Sequence, residues 1–152
     1  MKRIHSIYIR LISFFLIFAF ILPSPILAAT PDIAEPAASY YLDAYTAYIC
    51  AVGSYDIQIW WNVLGTDTMA DIGALTIMLY ESTDNVNWTW VKTFRHTTFP
   101  HMLDHNTSHS MNRVTYFGDS ARYYKAYVTI YAGDGTNGDN RYFWTPVELS
   151  TP

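Results

Sequence analysis

The sequence predicts an all-β protein: a single antiparallel β-sandwich of about seven or eight strands, immunoglobulin- or fibronectin-III-like in its general architecture. From Ser39 onward apolar and polar residues alternate with a period of about two rather than roughly 3.6. Gly, Asn and Asp interrupt the chain at short intervals. The chain from that point has no helical pattern, so short strands joined by turns are the expected elements.

Each strand-like run is bounded by turn residues. The first, residues 40–50, ends before Gly53, and in the second, residues 57–63, apolar side chains alternate with polar ones. The later runs are residues 75–79, 88–95, 114–117, 122–131 and 142–149, with residues 133–140 as a turn-rich connection. Residues 65–73 are predicted as an irregular connection and residues 97–111 as a long polar loop. Pro146 predicts that the last run is an edge strand.

The first 29 residues have the organisation of a cleaved secretory signal peptide. Lys2, Arg3 and Arg10 are followed by an uncharged apolar run over residues 11–22, and Ala28-Ala29 supply small residues for cleavage. A membrane span needs roughly 20 apolar residues, and this run is shorter. We therefore predict a signal peptide (1–29), a disordered leader (30–38) and a β-sandwich domain (39–150), with no membrane span after cleavage and the mature protein secreted.

Cleavage changes the charge balance of the chain. It removes three of the nine Lys and Arg residues and none of the 13 Asp and Glu residues, leaving a formal charge of −7 with His neutral. An acidic surface repels phosphate backbones, so nucleic acid is not an expected partner. The single cysteine, Cys50, has no partner for an internal disulfide, and the domain must be stabilised by packing of its many aromatic side chains.

Several segments resemble a known family. They are residues 39–45, Met69 with Ile72-Gly73-Ala74, residues 79–82 running on to Trp88, residues 114–118, residues 124–129 and residues 131–133. Together they resemble a domain-of-unknown-function family of small secreted β-sandwich proteins from Gram-positive, clostridia-like bacteria. The resemblance implies an envelope or extracellular protein, and it implies no functional residues because the family has no known activity.

One candidate binding surface is a line of tyrosines. If Tyr124 and its alternate neighbours face the core, Tyr123, Tyr127 and Tyr131 face outward on the same strand. Rings in that arrangement suit the apolar faces of sugars, and Trp60, Trp88 or Trp90 could join them. The alternative is that tyrosine simply fits a half-exposed pleated surface.

The mature chain has four histidines, all within residues 96–109. His101, His105 and His109 are spaced four residues apart, which invites a zinc or copper site. The spacing brings histidines close together on one face only in a helix, however, and Pro100 and the polar residues 106–108 argue against one. A solvated, His-rich loop without metal is therefore the favoured interpretation, and no cofactor is expected.

The sequence contains no G-x-S-x-G, H-E-x-x-H, P-loop or dinucleotide motif, so we predict that the protein is not an enzyme. The predicted function is a secreted, non-catalytic binding module at the bacterial cell envelope or in the extracellular space, with a glycan or protein ligand. The alternatives are an exported bacteriocin- or toxin-like protein and a carbohydrate-binding module that uses the exposed tyrosine face. The negative charge argues against a toxin that acts on membranes, since membrane-active peptides are usually cationic.

Overall fold

A computed structural model of the chain describes residues 39–53 and 55–150. The predicted signal peptide (1–29) and leader (30–38) lie outside these residues. Within the described part of the chain, no helix is long and apolar enough to cross a membrane.

The predicted fold class is confirmed: the domain is all-β, and its seven strands form one curled antiparallel sheet with the general form of a sandwich. One turn of 3-10 helix, Pro100–Met102, is the sole helical element among the described residues. The strands are β1 (Leu42–Val52), β2 (Asp56–Ser82), β3 (Thr89–Arg95), β4 (Leu103–Phe117), β5 (Tyr123–Gly133), β6 (Gly138–Trp144) and β7 (Glu148–Leu149).

Strand β2 is long enough to pair with other strands in both halves of the sandwich, and four of the other strands pair with it. Its first part, through Leu64, pairs with β1 on one side and β4 on the other. Its last part, from Thr76, pairs with β3 and β5. Strand β6 and then the short β7 continue the second half along β5. The first half is thus β1–β2–β4, and the second is β3–β2–β5–β6.

The core lies between these halves, and the period-two pattern places its side chains there. On the first half, Ile57, Ile59, Trp61 and Val63 are fully buried, and on the second half Ile77, Leu79 and alternate residues of β5 are fully buried. The indole Nε1 of Trp61 donates a hydrogen bond to the buried Oγ of Ser110 on β4, at 3.2 Å. This bond satisfies both polar groups where water is excluded.

The prediction of an irregular connection at residues 65–73 is wrong, because β2 continues through these residues. The sequence contains Gly and polar residues there because the strand bends and shifts register rather than ending. Opposite β4 the register shifts between Leu64 and Met69, and opposite β5 it shifts between Ala74 and Thr76. Such bulges bend a strand and increase its twist, which is how a single strand enters both halves.

The long polar loop predicted at residues 97–111 is also wrong over most of its length, since β4 begins at Leu103. The strand is polar because it is paired only with β2 in the described sheet and has few positions that reach the core. Ser110 and Val114 are its buried residues. Main-chain pairing does not require apolar side chains, so the alternation signal is weak at an edge strand.

The final run, predicted as one strand over residues 142–149, is divided into β6 and β7. Pro146 has no N–H to contribute to a ladder, and the chain leaves the sheet around it. Thr145 remains bound to β5: its N–H donates to the Ala126 carbonyl at 2.9 Å, and its hydroxyl accepts from the Ala126 N–H at 2.9 Å. Both the N–H and the C=O of Ala126 are therefore hydrogen-bonded, although the chain leaves the sheet between β6 and β7.

Candidate functional site

The outer surface of the second half carries a dense set of aromatic rings. In β5, Tyr124, Ala126, Val128 and Ile130 are buried, so the residues between them point away from the core. Strand pairing brings Met78 of β2 and Trp144 of β6 to either side of Tyr127. The residues that form this surface are Tyr80, Trp88, Trp90, Lys125, Tyr127, Tyr142 and Trp144, and we call it the aromatic face.

Trp144 is at the centre of the ring contacts on the aromatic face. Its ring centroid is 5.0 Å from that of Tyr127 and 5.3 Å from that of Tyr80. Tyr127 in turn lies nearly parallel to Tyr142, with an interplanar angle of 17° and centroids 6.4 Å apart. These spacings are within the range of favourable aromatic pairs, so the rings hold one another in place.

Much of this aromatic surface is open to solvent. Trp90 is 55% exposed, Tyr142 58% and Trp144 48%. Because cross-strand neighbours in a sheet lie about 5 Å apart, the exposed rings form a contiguous surface rather than isolated apolar spots. A contiguous exposed aromatic surface is typical of a binding site.

The aromatic face is supported by the β5–β6 hairpin. At its turn, the carboxylate of Asp134 accepts hydrogen bonds from the N–H groups of Thr136 and Asn137, both at 2.8 Å. These bonds hold the pKa of Asp134 below its usual value, because they stabilise the ionised form. The tight turn fixes the register of β6 on β5, and that register places Tyr142 and Trp144 beside Tyr127.

The three predicted tyrosines occupy different surroundings. All three alternate with buried residues of β5, but only Tyr127 takes part in ring contacts among the described residues. Tyr131 lies against Gly138 and Gly133 at the end of the hairpin, where any larger residue would meet its ring. Tyr123 lies at the other end of β5, opposite Ser82 and Leu149.

Of the tryptophans considered from sequence, Trp88 and Trp90 belong to the aromatic face, whereas Trp60 lies on the outer surface of the first half. Sequence reasoning missed Tyr80, Tyr142 and Trp144. The i, i+2 spacing of Tyr142 and Trp144 indicates that they share one side of a strand. Only the pairing of β6 with β5 shows that this side is the one that Tyr127 occupies.

The predicted histidine candidates are separated by the extended backbone of β4. The ring Nδ1 of His105 lies 2.6 Å from Asp71 Oδ1, and Nε2 of His109 lies 2.7 Å from Asn62 Oδ1. His101 lies in the 3-10 turn, with its ring against Phe99. Four residues of strand span roughly 13 Å. Within residues 39–53 and 55–150, no group of three or more His, Cys, Asp or Glu could hold one metal ion.

The outer surface of the first half has a different character. Tyr48 and Trp60 lie nearly parallel with centroids 6.2 Å apart, and the Arg113 guanidinium lies over the Trp60 ring at 4.6 Å. Three neighbouring strands supply this row, which stabilises their register by ring and cation–π contacts.

Two shallow depressions lie near these elements. One, of about 440 Å³, is lined by Phe94, Phe99, His101 and residues 112–115. The other, of about 360 Å³, is lined by residues 44–46, Asn62, Leu64 and His109. Each contains one histidine, and neither is lined by a carboxylate.

Comparison with known proteins identifies no family. No protein-family model matches the sequence, and no curated protein matches it. Among solved structures, the sporulation control protein Spo0M from Bacillus subtilis is similar over 76% of this chain, at 10% identity and a TM-score of 0.40. The aligned region spans about half of that protein, 51% of its length.

Proposed function

We propose that the protein is a secreted, non-catalytic β-sandwich module that binds polysaccharide through the aromatic face, at the cell envelope or in the surroundings of a Gram-positive bacterium. The observation that carries this proposal is the contiguous exposed ring surface of Tyr127, Tyr142 and Trp144, with Trp90 at its edge.

The chemistry of sugars matches such a surface. One side of a pyranose ring presents mainly C–H groups, which pack on an aromatic ring, while the hydroxyls around its edge remain hydrogen-bonded to water or protein. Trp144 and Tyr142 lie two residues apart on one strand, about 7 Å by strand geometry, so they offer adjacent stacking positions along an extended chain. Rings that contact one another on paired strands need little rearrangement to accept such a ligand, which favours binding.

The residues that line the two depressions support a non-catalytic function. Acid–base hydrolysis of glycosides commonly needs a pair of carboxylates. The lining of each depression provides only one histidine and no Asp or Glu. The aromatic face has Lys125 as its single ionisable group other than tyrosines. The family resemblance of residues 39–149 supports the bacterial, extracellular setting.

Replacing Trp144 and Tyr142 together by Ala should abolish most polysaccharide retention. If each ring contributes about 1 kcal/mol to binding, their loss weakens binding by roughly 30-fold. The measurement is retention of the purified exported protein on insoluble peptidoglycan and on a panel of insoluble polysaccharides, with competition by the soluble sugar.

Tyr48→Ala is the matched control for this experiment. Tyr48 is 47% exposed, similar to Trp144, but it lies on the outer surface of the other half. We expect this variant to be retained as well as the unmodified protein. Equal loss in both variants would contradict a site on the aromatic face, and no retention of the unmodified protein on any polysaccharide would leave a protein ligand as the replacement hypothesis.

The export part of the proposal predicts a defined N-terminus. Cleavage after Ala29 should release a protein that begins at Thr30 into the culture medium, where intact-mass spectrometry gives its first residue. A chain that stays with the cells at its full length of 152 residues would contradict secretion.

A further inference from the structure

Lys125 is the charged residue within the aromatic face, and its surroundings are unusual for a lysine. The Nζ atom lies 4.1 Å from the centroid of Trp88 and 4.6 Å from that of Trp144. Among residues 39–53 and 55–150, no carboxylate forms an ion pair with it. The ammonium is therefore positioned by ring faces, and its N–H donors remain available for a ligand.

The strand positions that surround Lys125 on the outer surface carry no negative charge. They are Met78 and Tyr80 on β2, Tyr123 and Tyr127 on β5, and Trp144 on β6. None of these is Asp or Glu. A cation that these strand positions leave without a counter-charge favours an anionic ligand.

We propose that the ligand of the aromatic face is an acidic polysaccharide whose sugar rings bear a carboxylate, that is, a uronic-acid polymer. This inference rests on the proposed polysaccharide binding. One sugar ring packs on the exposed rings of the aromatic face, and its carboxylate accepts hydrogen bonds from the Lys125 ammonium, which lies over the Trp88 and Trp144 rings.

The geometry favours a carboxylate over a phosphate. The carboxyl group of a uronic acid is attached directly to the pyranose ring, so one sugar unit supplies both an apolar face and a charge. The Lys125 ammonium lies among the rings of the aromatic face, 4.1 Å from the Trp88 centroid and 4.6 Å from the Trp144 centroid, so ring contacts and a charge contact are adjacent there. A phosphodiester chain of polyols carries its charge between units and has no sugar ring that could pack on the aromatic face next to Lys125.

The test compares two polymers with the same backbone: polygalacturonate and its highly methyl-esterified, uncharged form. We expect the purified protein to bind polygalacturonate about tenfold more tightly at low salt, because a charge-assisted hydrogen bond is lost on esterification. The preference should decrease as salt screens the charges. Affinity electrophoresis in gels containing each polymer measures both dissociation constants.

Three variants locate the source of the preference. Lys125→Gln should reduce the ratio of the two affinities to within about twofold, whereas Lys125→Arg should restore a clear preference for the acid. Lys92→Gln is the charge-matched control: Lys92 is an exposed cation on β3, opposite the inward-facing Leu79, and its removal should leave the ratio at the unmodified value. Circular dichroism checks that each variant is folded.

The outcomes separate this inference from the function on which it rests. Equal affinity for the acid and the ester, or tighter binding to a sugar-phosphate polymer than to polygalacturonate, overturns the inference and leaves polysaccharide binding in place. A preference for the acid that survives in Lys125→Gln overturns the assignment to Lys125. Failure to bind these polymers and every polysaccharide of the retention panel overturns both.

Discussion

Trp61→Ala should destabilise the domain by about 3–5 kcal/mol, the usual cost of truncating a buried tryptophan. The Trp61 side chain is fully buried in the core between the two halves. Its loss would leave a large cavity, and the hydroxyl of Ser110, which is 1% exposed, would lose the indole N–H at 3.2 Å. Urea unfolding followed by far-UV circular dichroism measures the change, since the method does not depend on the removed fluorophore.

Trp60→Ala provides the control at the adjacent position. The two tryptophans follow one another on β2, so their side chains point to opposite sides of the strand. Trp60 contacts Tyr48 and Arg113 on the outer surface, and truncating it should cost about 1 kcal/mol or less. If Trp61→Ala were no more destabilising than Trp60→Ala, the inward orientation of the odd-numbered residues between Ile57 and Val63 of β2 would be wrong.

Gly73→Ala should destabilise the domain by about 2–5 kcal/mol, because the methyl group has no space and the backbone is unsuited to it. Gly73 has a φ of +144°, and a Cβ at this position would lie 2.2 Å from the main-chain oxygen of Met102. Because the obstacle is the backbone of Met102 and Leu103, relief requires the 3-10 turn and the start of β4 to move away from the bend of β2. The same unfolding measurement applies.

Gly53→Ala is the matched glycine control. A Cβ at Gly53 would meet nothing within 4 Å, and Gly53 is not among the positive-φ residues of the described chain. This substitution should change stability by no more than about 0.5 kcal/mol or increase it slightly, by restricting the unfolded chain. Similar costs at both glycines would contradict the close approach of β4 to the bend.

The fold class was predictable because the alternation of side chains records which residues face the core. Residues 57–63 and 122–131 alternate clearly, and the structure buries the expected side chains in both runs. The alternation of apolar and polar residues weakens where buried and exposed positions no longer alternate along the strand. Strand β4 is largely polar, and the bend of β2 contains a run of exposed residues at 66–68, so both segments resemble loops in sequence.

For the aromatic face, the sequence by itself determined that β5 has one buried side and one tyrosine-rich outer side. The expectation that aromatic side chains supply much of the packing is wrong, because the buried core is mainly aliphatic and contains only Trp61, Phe94 and Tyr124 as aromatic residues among those described. The sequence did determine that the chain is acidic, with a formal charge of −4. These properties depend on local pattern and composition, and no knowledge of strand pairing is required to obtain them.

Only the tertiary structure decided which rings meet. The side chains that meet come from separate segments: Trp88 from the end of the loop between β2 and β3, Lys125 from β5, and Trp144 from β6. They converge because the pairing of β5 with β2 on one side and with β6 on the other brings these segments together. Register depends on turn geometry and on bulges such as those that bend β2, and a one-residue slip would exchange the inner and outer sides of a strand. That long-range information is absent from the local sequence, so the aromatic face and its lysine emerged only from the folded domain.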